Sequence, residues 1–317
     1  MGLGKMGGNL GIQARRKGMR VVGVTRPPIR PELGEAGVEV VADLRAMREA
    51  LAPPRKIYLS VPAGPAVDAV LTELRGVLAA GDIVMDGGNS HYQDSARRHA
   101  FMAENGIFYL DVGTSGGPGG ALNGACFMVG GDRQAFEQVQ AMLEALAVPE
   151  GVVYVGPPGA GHYVKLVHNG IEFGMLQAIG EGVALLKQGP FALDLLPILH
   201  NWNHGSVIRS WLVELLEEGL RSGVTLEEVP GHVEDTGEVN WLVQDAARME
   251  IAIPVIAQAV WQLIQSRQAQ NLPMQAVSLM RHQFGGHPFG PFGPIAEERK
   301  VGRVTWDPFH PAPEKRS

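Results

Sequence analysis

With 317 residues, 45% of them hydrophobic and 19% charged, the chain has the length of two domains and enough apolar material for ordinary cores, as expected of a soluble globular protein. A formal net charge of -6 excludes general attraction to nucleic acid or to an anionic membrane, so any anion site has to be built locally from a few basic residues. The single cysteine, Cys126, excludes an internal disulfide or a multi-cysteine metal site and predicts a free buried thiol, and no histidine cluster has metal-ligand spacing.

The opening "MGLGKMGGNLGIQARRKG" lacks the apolar core of a secretory signal, and no later stretch is long and apolar enough to span a bilayer, so the expected compartment is the cytoplasm. Within it, "GLGKMG" sets Gly2, Gly4 and Gly7 in the G-x-G-x-x-G spacing that opens a dinucleotide-binding helix. Such glycines allow a tight turn and close approach of the pyrophosphate to the helix N-terminus. A helix and the strand "MRVVGV" follow, but the strand that normally precedes the motif is missing because the chain begins at Met1. A late coding start, a truncated chain and a degenerate protein all fit that gap. The next strand ends in "VTRPP", with Thr25 and Arg26 where an acidic residue usually holds the ribose hydroxyls. Arg26 suits a 2′-phosphate, so NADP is the expected cofactor, with NAD as the second choice.

Further along, "VEVV", "KIYLSV", "DIVMDG", "FYLDVG", "CFMVGG" and "VVYVG" read as short strands alternating with helices, the rhythm of a parallel sheet with crossovers. Two of those helices start at Asp43 and Asp132, both plausible N-caps. After "GPPGAG" the strands stop, and helical runs cover 161–188, 192–203, 206–220, 238–250 and 254–269. The expected organisation is an α/β Rossmann-type dinucleotide-binding domain over 1–157, an all-α domain over 158–298, and an extended or disordered tail over 299–317. In the long helix, "KLVHNGIE" puts Lys165, His168, Asn169 and Glu172 at i, i+3, i+4 and i+7, on one face. Apolar residues on its other sides predict a helix buried in the core, and a polar stripe on such a helix must meet something polar. An internal ion pair or a solvated stripe would satisfy any one of these groups, whereas four together indicate a cleft.

Three stretches, "DGGNSHYQD" at 86–94, "DVGTSGGPGGALNGACFMVGGD" at 111–132 and "GAGHYVKLVHNGIEFGMLQAIGEG" at 159–182, together with the opening glycines, resemble the 6-phosphogluconate dehydrogenase family, in its short form. The resemblance runs to about Phe289, and "TSGG" and the helix lysine are shared with the wider β-hydroxyacid dehydrogenases. It implies that Lys165 takes the proton of the substrate's 3-hydroxyl as hydride leaves C3, and that Glu172 protonates, at C1, the enediol left by loss of CO2. It further implies substrate contacts from Asn89, Ser115, Gly116, Gly117, His168 and Asn169, and cofactor contacts from Gly2, Gly4, Lys5, Met6, Gly7, Thr25, Arg26, Val61 and Asn89, with no metal. "RHQFGGH" keeps Arg281 and His287 at the spacing of a family motif that reaches a partner's site, which implies a homodimer or homotetramer. Departures stand beside these matches: Thr236 in "TGEVNW" replaces a phosphate-binding lysine, Leu263 stands near a missing arginine one turn from Arg267, and Phe173 replaces a tyrosine. The implied substrate is a phosphorylated sugar acid. A β-hydroxyacid dehydrogenase without decarboxylation and a non-catalytic nucleotide-binding protein are the alternatives.

Overall fold

The computed structural model describes residues 1–285 and 288–291. Its first half alternates helix and strand: α1 (Lys5–Arg16), β1 (Val22–Gly23), α2 (Pro31–Glu35), β2 (Glu39–Val40), α3 (Leu44–Ala50), β3 (Lys56–Leu59), α4 (Pro65–Arg75), β4 (Ile83–Asp86), α5 (Tyr92–Ala103), β5 (Phe108–Ser115), α6 (Gly117–Asn123), β6 (Ala125–Gly131), α7 (Arg133–Leu146) and β7 (Ala147–Gly156). Helices follow: α8 (Ala160–Gln188), α9 (Leu195–Asn203), α10 (Trp211–Arg221), a 3₁₀ turn (Leu226–Glu228), α11 (Glu238–Arg248), α12 (Pro254–Ser266) and α13 (Leu272–Gly285). The chain forms two compact units, Met1–Leu263 and the residues from Ile264 onward; in the second, the described residues are the end of α12, α13 and a short extension. Among the described residues no helix is long and apolar enough to cross a membrane.

Five strands pair in the order β3-β4-β5-β6-β7, and β1 and β2 form a separate parallel pair. All four positions of β4 are buried, as expected for a strand covered on both faces. Alternation divides the core accordingly. Ile83, Met85, Leu110 and Phe127 join one apolar cluster with Leu10 of α1 and Phe136 and Leu143 of α7, while Val84, Tyr109 and Leu59 join another with Met47, Leu71 and Met102 of α3, α4 and α5. The sheet is thus sandwiched between two helical layers.

Three features differ from the sequence-based reading. The sheet is not wholly parallel: β5 and β6 pair antiparallel, because residues 116–124 between them are too few for a crossover of a dozen or more and turn back through short α6. Asp43 caps α3 as expected, accepting the Ala46 N–H at 2.9 Å, but Asp132 makes no side-chain cap on α7 and instead meets His99 Nε2 at 2.9 Å. Finally, the interval between the two sheets is not void of backbone. The Met1 nitrogen donates to Tyr58 O at 2.6 Å, Ser60 N donates to Met1 O at 2.9 Å, and Gly2 N donates to Val24 O at 3.0 Å, so Met1 and Gly2 bridge β3 to the end of β1.

Candidate active site

The opening glycines form a tight turn into α1. A Cβ on Gly7 would run into the Gly2 carbonyl and Ser60 Cβ, so close packing of helix on strand demands glycine there. Gly4, the N-cap, makes no side-chain cap, and a Cβ on it would meet nothing within 4 Å. The N–H groups of Lys5, Met6 and Gly7 have no acceptor within the helix and carry its positive dipole end. This free space beside unpaired donors fits a dinucleotide's pyrophosphate. Leu3 N donates to Thr25 Oγ1 at 3.3 Å, which fixes the end of β1 against the turn and leaves Arg26 exposed. Arg30, which the sequence reading passed over, donates to Gly4 O at 3.1 Å and Asn9 Oδ1 at 3.0 Å, bringing a second cation to the same turn. Val61 links this region to the "DGGNS" loop: its Cγ1 would touch a Cβ on Gly2 at 3.0 Å, and its carbonyl one on Gly88 at 3.1 Å.

Helix α8 is placed by β5. Buried Asp111 accepts the N–H groups of Gly159 at 2.8 Å and His162 at 2.9 Å, satisfying two of the free donors at the helix start with a negative charge. Gly161 lets the helix approach, since a Cβ there would strike Asp111 O and Met128 O. His162, buried behind the site, is held between Ser95 Oγ at 2.7 Å and Asp86 O at 3.0 Å. The loop carrying Asn89 is held by a second buried network. Asp86 accepts Ser90 Oγ at 2.7 Å, Tyr109 Oη at 2.8 Å and Gly88 N at 3.1 Å, while fully buried Arg98 donates to Ser90 Oγ, Gly64 O and Asp68 at 2.8–3.0 Å.

On this frame the polar stripe of α8 meets the end of β5. His168 Nε2 lies 3.0 Å from Ser115 Oγ, and its Nδ1 lies 3.3 Å from Lys165 Nζ, 3.2 Å from Asn169 Oδ1 and 3.8 Å from Glu172 Oε2. With its proton on Nε2 the imidazole donates to Ser115 Oγ and Nδ1 accepts from Lys165 Nζ; with its proton on Nδ1 it donates to Asn169 Oδ1 and Nε2 accepts the Ser115 hydroxyl. Lys165 and Asn169 are buried, and burial pushes the Lys165 pKa below its usual 10.5, opposed by the charges of Glu172, Cys126 and Glu238. Asn89, Ser90, His162, Lys165, Leu166 and Asn169 line a narrow cleft, closed on the far side by Glu238 and Trp241. Its free volume of about 10 Å³ is about one water's worth.

The structure therefore brings Lys165, His168, Asn169, Glu172 and Ser115 together, with Asn89 across the cleft, and sets Gly116 and Gly117 at the start of α6 beside Ser115. Arg281 lies exposed on α13 in the second unit, and His287 falls outside the described residues. Cys126 is half-buried rather than buried, because it pairs with Ser115 at the site end of β6. Sequence reasoning also missed Glu238, His162, Asp111 and Arg98. Only the proximity of Asp86 and Ser90 to Asn89 within one motif hinted at such supports. Nor is α8 buried all round: Ile171, Met175 and Leu176 are exposed in this chain at 53%, 40% and 47%.

A dinucleotide-type sheet with a glycine turn at its first helix, feeding a long helix whose lysine faces the strand ends, defines the nicotinamide-dependent β-hydroxyacid dehydrogenase class. Residues 1–156 match the NAD binding domain of 6-phosphogluconate dehydrogenase, and residues 161–283 match the C-terminal domain of 6-phosphogluconate dehydrogenase. A putative 6-phosphogluconate dehydrogenase of Bacillus subtilis is 43% identical over 289 residues, covering 90% of this chain and 97% of that protein. A decarboxylating, NAD(+)-dependent 6-phosphogluconate dehydrogenase of Haloferax volcanii is 41% identical over 255 residues, covering 80% of this chain and 84% of that one. The solved structure of 6-phosphogluconate dehydrogenase from Plasmodium falciparum, studied alone, with its cofactor NADP+ and with its substrate 6-phosphogluconate, superposes with a TM-score of 0.78 at 28% identity, covering 95% of this chain and 68% of that chain. The chain belongs to the 6-phosphogluconate dehydrogenase family.

Proposed function

We propose that the protein oxidatively decarboxylates 6-phosphogluconate to ribulose 5-phosphate and CO2, transferring hydride to NADP or NAD. The observation that carries this reading is the Lys165–His168–Ser115 chain, buried at its lysine and half-buried beyond, facing Asn89 at the strand ends, next to the glycine turn. The glycine turn before α1 and Arg26 would hold the dinucleotide, which would supply the acceptor for the hydride from the substrate's C3. Lys165, its ammonium destabilised by burial, is the base that takes the 3-hydroxyl proton. It then returns that proton to the C3 oxygen as the C1–C2 bond breaks, C1 leaving as CO2 and the electron pair of that bond forming the C2–C3 enediol. Glu172, half-exposed one turn beyond His168, delivers a proton to the carbon that becomes C1 of the product. Ser115, His168 and Asn169, with Asn89 opposite, orient the sugar acid, and Gly116 and Gly117 offer backbone N–H groups to its carboxylate. A division at 1–157 and 158–298 suits this arrangement, with cofactor on the first part and the catalytic helix on the second. Equal yields of CO2 and reduced dinucleotide from 6-phosphogluconate test the reading; oxidation without CO2 would assign the chain to a simple hydroxyacid dehydrogenase.

Preference for NADP rests on Thr25 and Arg26. A guanidinium offers a 2′-phosphate two parallel charge-assisted bonds. Wild type is expected to favour NADP in kcat/KM, and Arg26→Ala to lose about 10-fold of that preference, the worth of a hydrogen bond to a charged group. Equal kcat/KM for the two cofactors in wild type would refute it.

We also infer self-association as a homodimer or homotetramer. The exposed Ile171, Met175 and Leu176 on α8 with Val255 and Trp261 on α12 form apolar surface that a monomer would leave in water. Light scattering is expected to give at least twice the chain mass, and a monomer mass at assay concentration would contradict it.

A further inference from the structure

Glu238 opens α11, directly after Gly237, and neither the motifs nor the polar stripe of α8 pointed to it. A carboxylate at a helix start is often no more than a complement to the dipole. Here its neighbours differ from that case. Its Oε1 accepts Asn89 Nδ2 at 3.3 Å, from a loop 149 residues earlier, and the Thr236 hydroxyl lies 2.6 Å away, while the same side chain lines the cleft with Lys165 and Asn169. An ionised carboxylate offers about four acceptor sites. The Thr236 hydroxyl has one hydrogen and Asn89 gives one, so two sites remain for a ligand.

The chemistry of that ligand group is constrained. A phosphate or carboxylate beside Glu238 would meet like charge in a partly desolvated site, whereas a hydroxyl donates to it without penalty. The free space of about 10 Å³ holds no sugar, so a ligand enters only as the Asn89–Glu238 bond opens. A hydroxyl can then take the donor place that Asn89 vacates, leaving the Asn89 amide to serve the ligand from the other side. We propose that Glu238 is a further substrate-binding residue, the hydroxyl acceptor for the sugar-acid chain, and that its bond to Asn89 closes the empty cleft. This rests on the sugar-acid reading above and adds to it the orientation of the substrate: hydroxyls toward α11, carboxylate toward Ser115 and Lys165.

Glu238→Gln keeps the size and removes the charge. The variant is expected to raise KM for 6-phosphogluconate at least 10-fold while the Kd for reduced dinucleotide, read by fluorescence, stays within twofold of wild type. The latter also reports that the variant is folded. Lys165 faces His168 and Glu172 on its own helix, Cys126 on β6 and Glu238 on α11, so loss of this anion is expected to move the rising limb of kcat/KM, which reports loss of the Lys165 proton, to lower pH. A KM within twofold of wild type, or an unmoved limb, overturns the proposal. If wild type oxidises the substrate without releasing CO2, the decarboxylase reading falls, while the same KM comparison on that reaction still decides the part played by Glu238.

Discussion

Lys165→Ala is expected to lower kcat on the order of 10²–10⁴-fold, the range lost with a positioned acid–base group. The other titratable groups described there are engaged or removed: His168 meets Ser115, His162 is held by Ser95 and Asp86 O, Glu238 accepts from Asn89 and Thr236, and Glu172 stands 3.8 Å beyond His168. Glu172→Gln should cost on the order of 10²-fold or more in product formation with cofactor binding nearly intact, because the proton to carbon is a separate and later step. The pH profile carries the same claim with a definite sign. Burial disfavours the ammonium, so Lys165 releases its proton at lower pH than an exposed lysine, and kcat/KM rises with pH through a limb below 10.5. Lys165→Ala removes that limb. Near-normal turnover in both variants would end the assignment.

The second large effect falls on stability. Arg98→Met is expected to cost about 3–5 kcal/mol in denaturant unfolding, because it strands a buried anion: Asp86, wholly shielded from solvent, keeps its hydroxyl donors but loses the one cation that pairs with it among the described residues, 3.7 Å away. The loss spreads to Ser90 and to the Gly64 carbonyl at the start of α4, both held by the same guanidinium. Arg98→Lys should recover little, since one ammonium cannot reach three partners in a planar fork. A loss below about 1 kcal/mol for Arg98→Met would show that the network is dispensable. Because Ser90 adjoins Asn89, the surviving folded fraction should also show a raised KM for the sugar acid.

The unequal legibility of this chain follows from distance along it. Period-2 and period-3.6 patterns are local, so each of the seven strands and the five long helical runs appeared near its observed place, as did the Asp43 cap. The α8 stripe was legible for the same reason, four residues within two turns. What escaped depends on partners far apart in sequence. Asp132 has the look of a cap, but His99, 33 residues earlier, claims it. Asp111 is an ordinary strand residue until α8 arrives 48 residues later, and Glu238 has no sequence link to Asn89. The antiparallel β5–β6 pair was readable in principle from the short span between the two strands. The exposed apolar face of α8 was not, because a helix buried all round and one that leaves an apolar face exposed in its own chain share one pattern.

The central claim is that the Lys165 cleft oxidises and decarboxylates one substrate. It is tested most directly by incubating the purified chain with 6-phosphogluconate labelled in its carboxyl carbon, with NADP and with NAD, and measuring released CO2 against reduced dinucleotide. The account predicts one CO2 per reduced dinucleotide in wild type and neither product from Lys165→Ala. Reduced dinucleotide without CO2, or equal yields from wild type and Lys165→Ala, would contradict it.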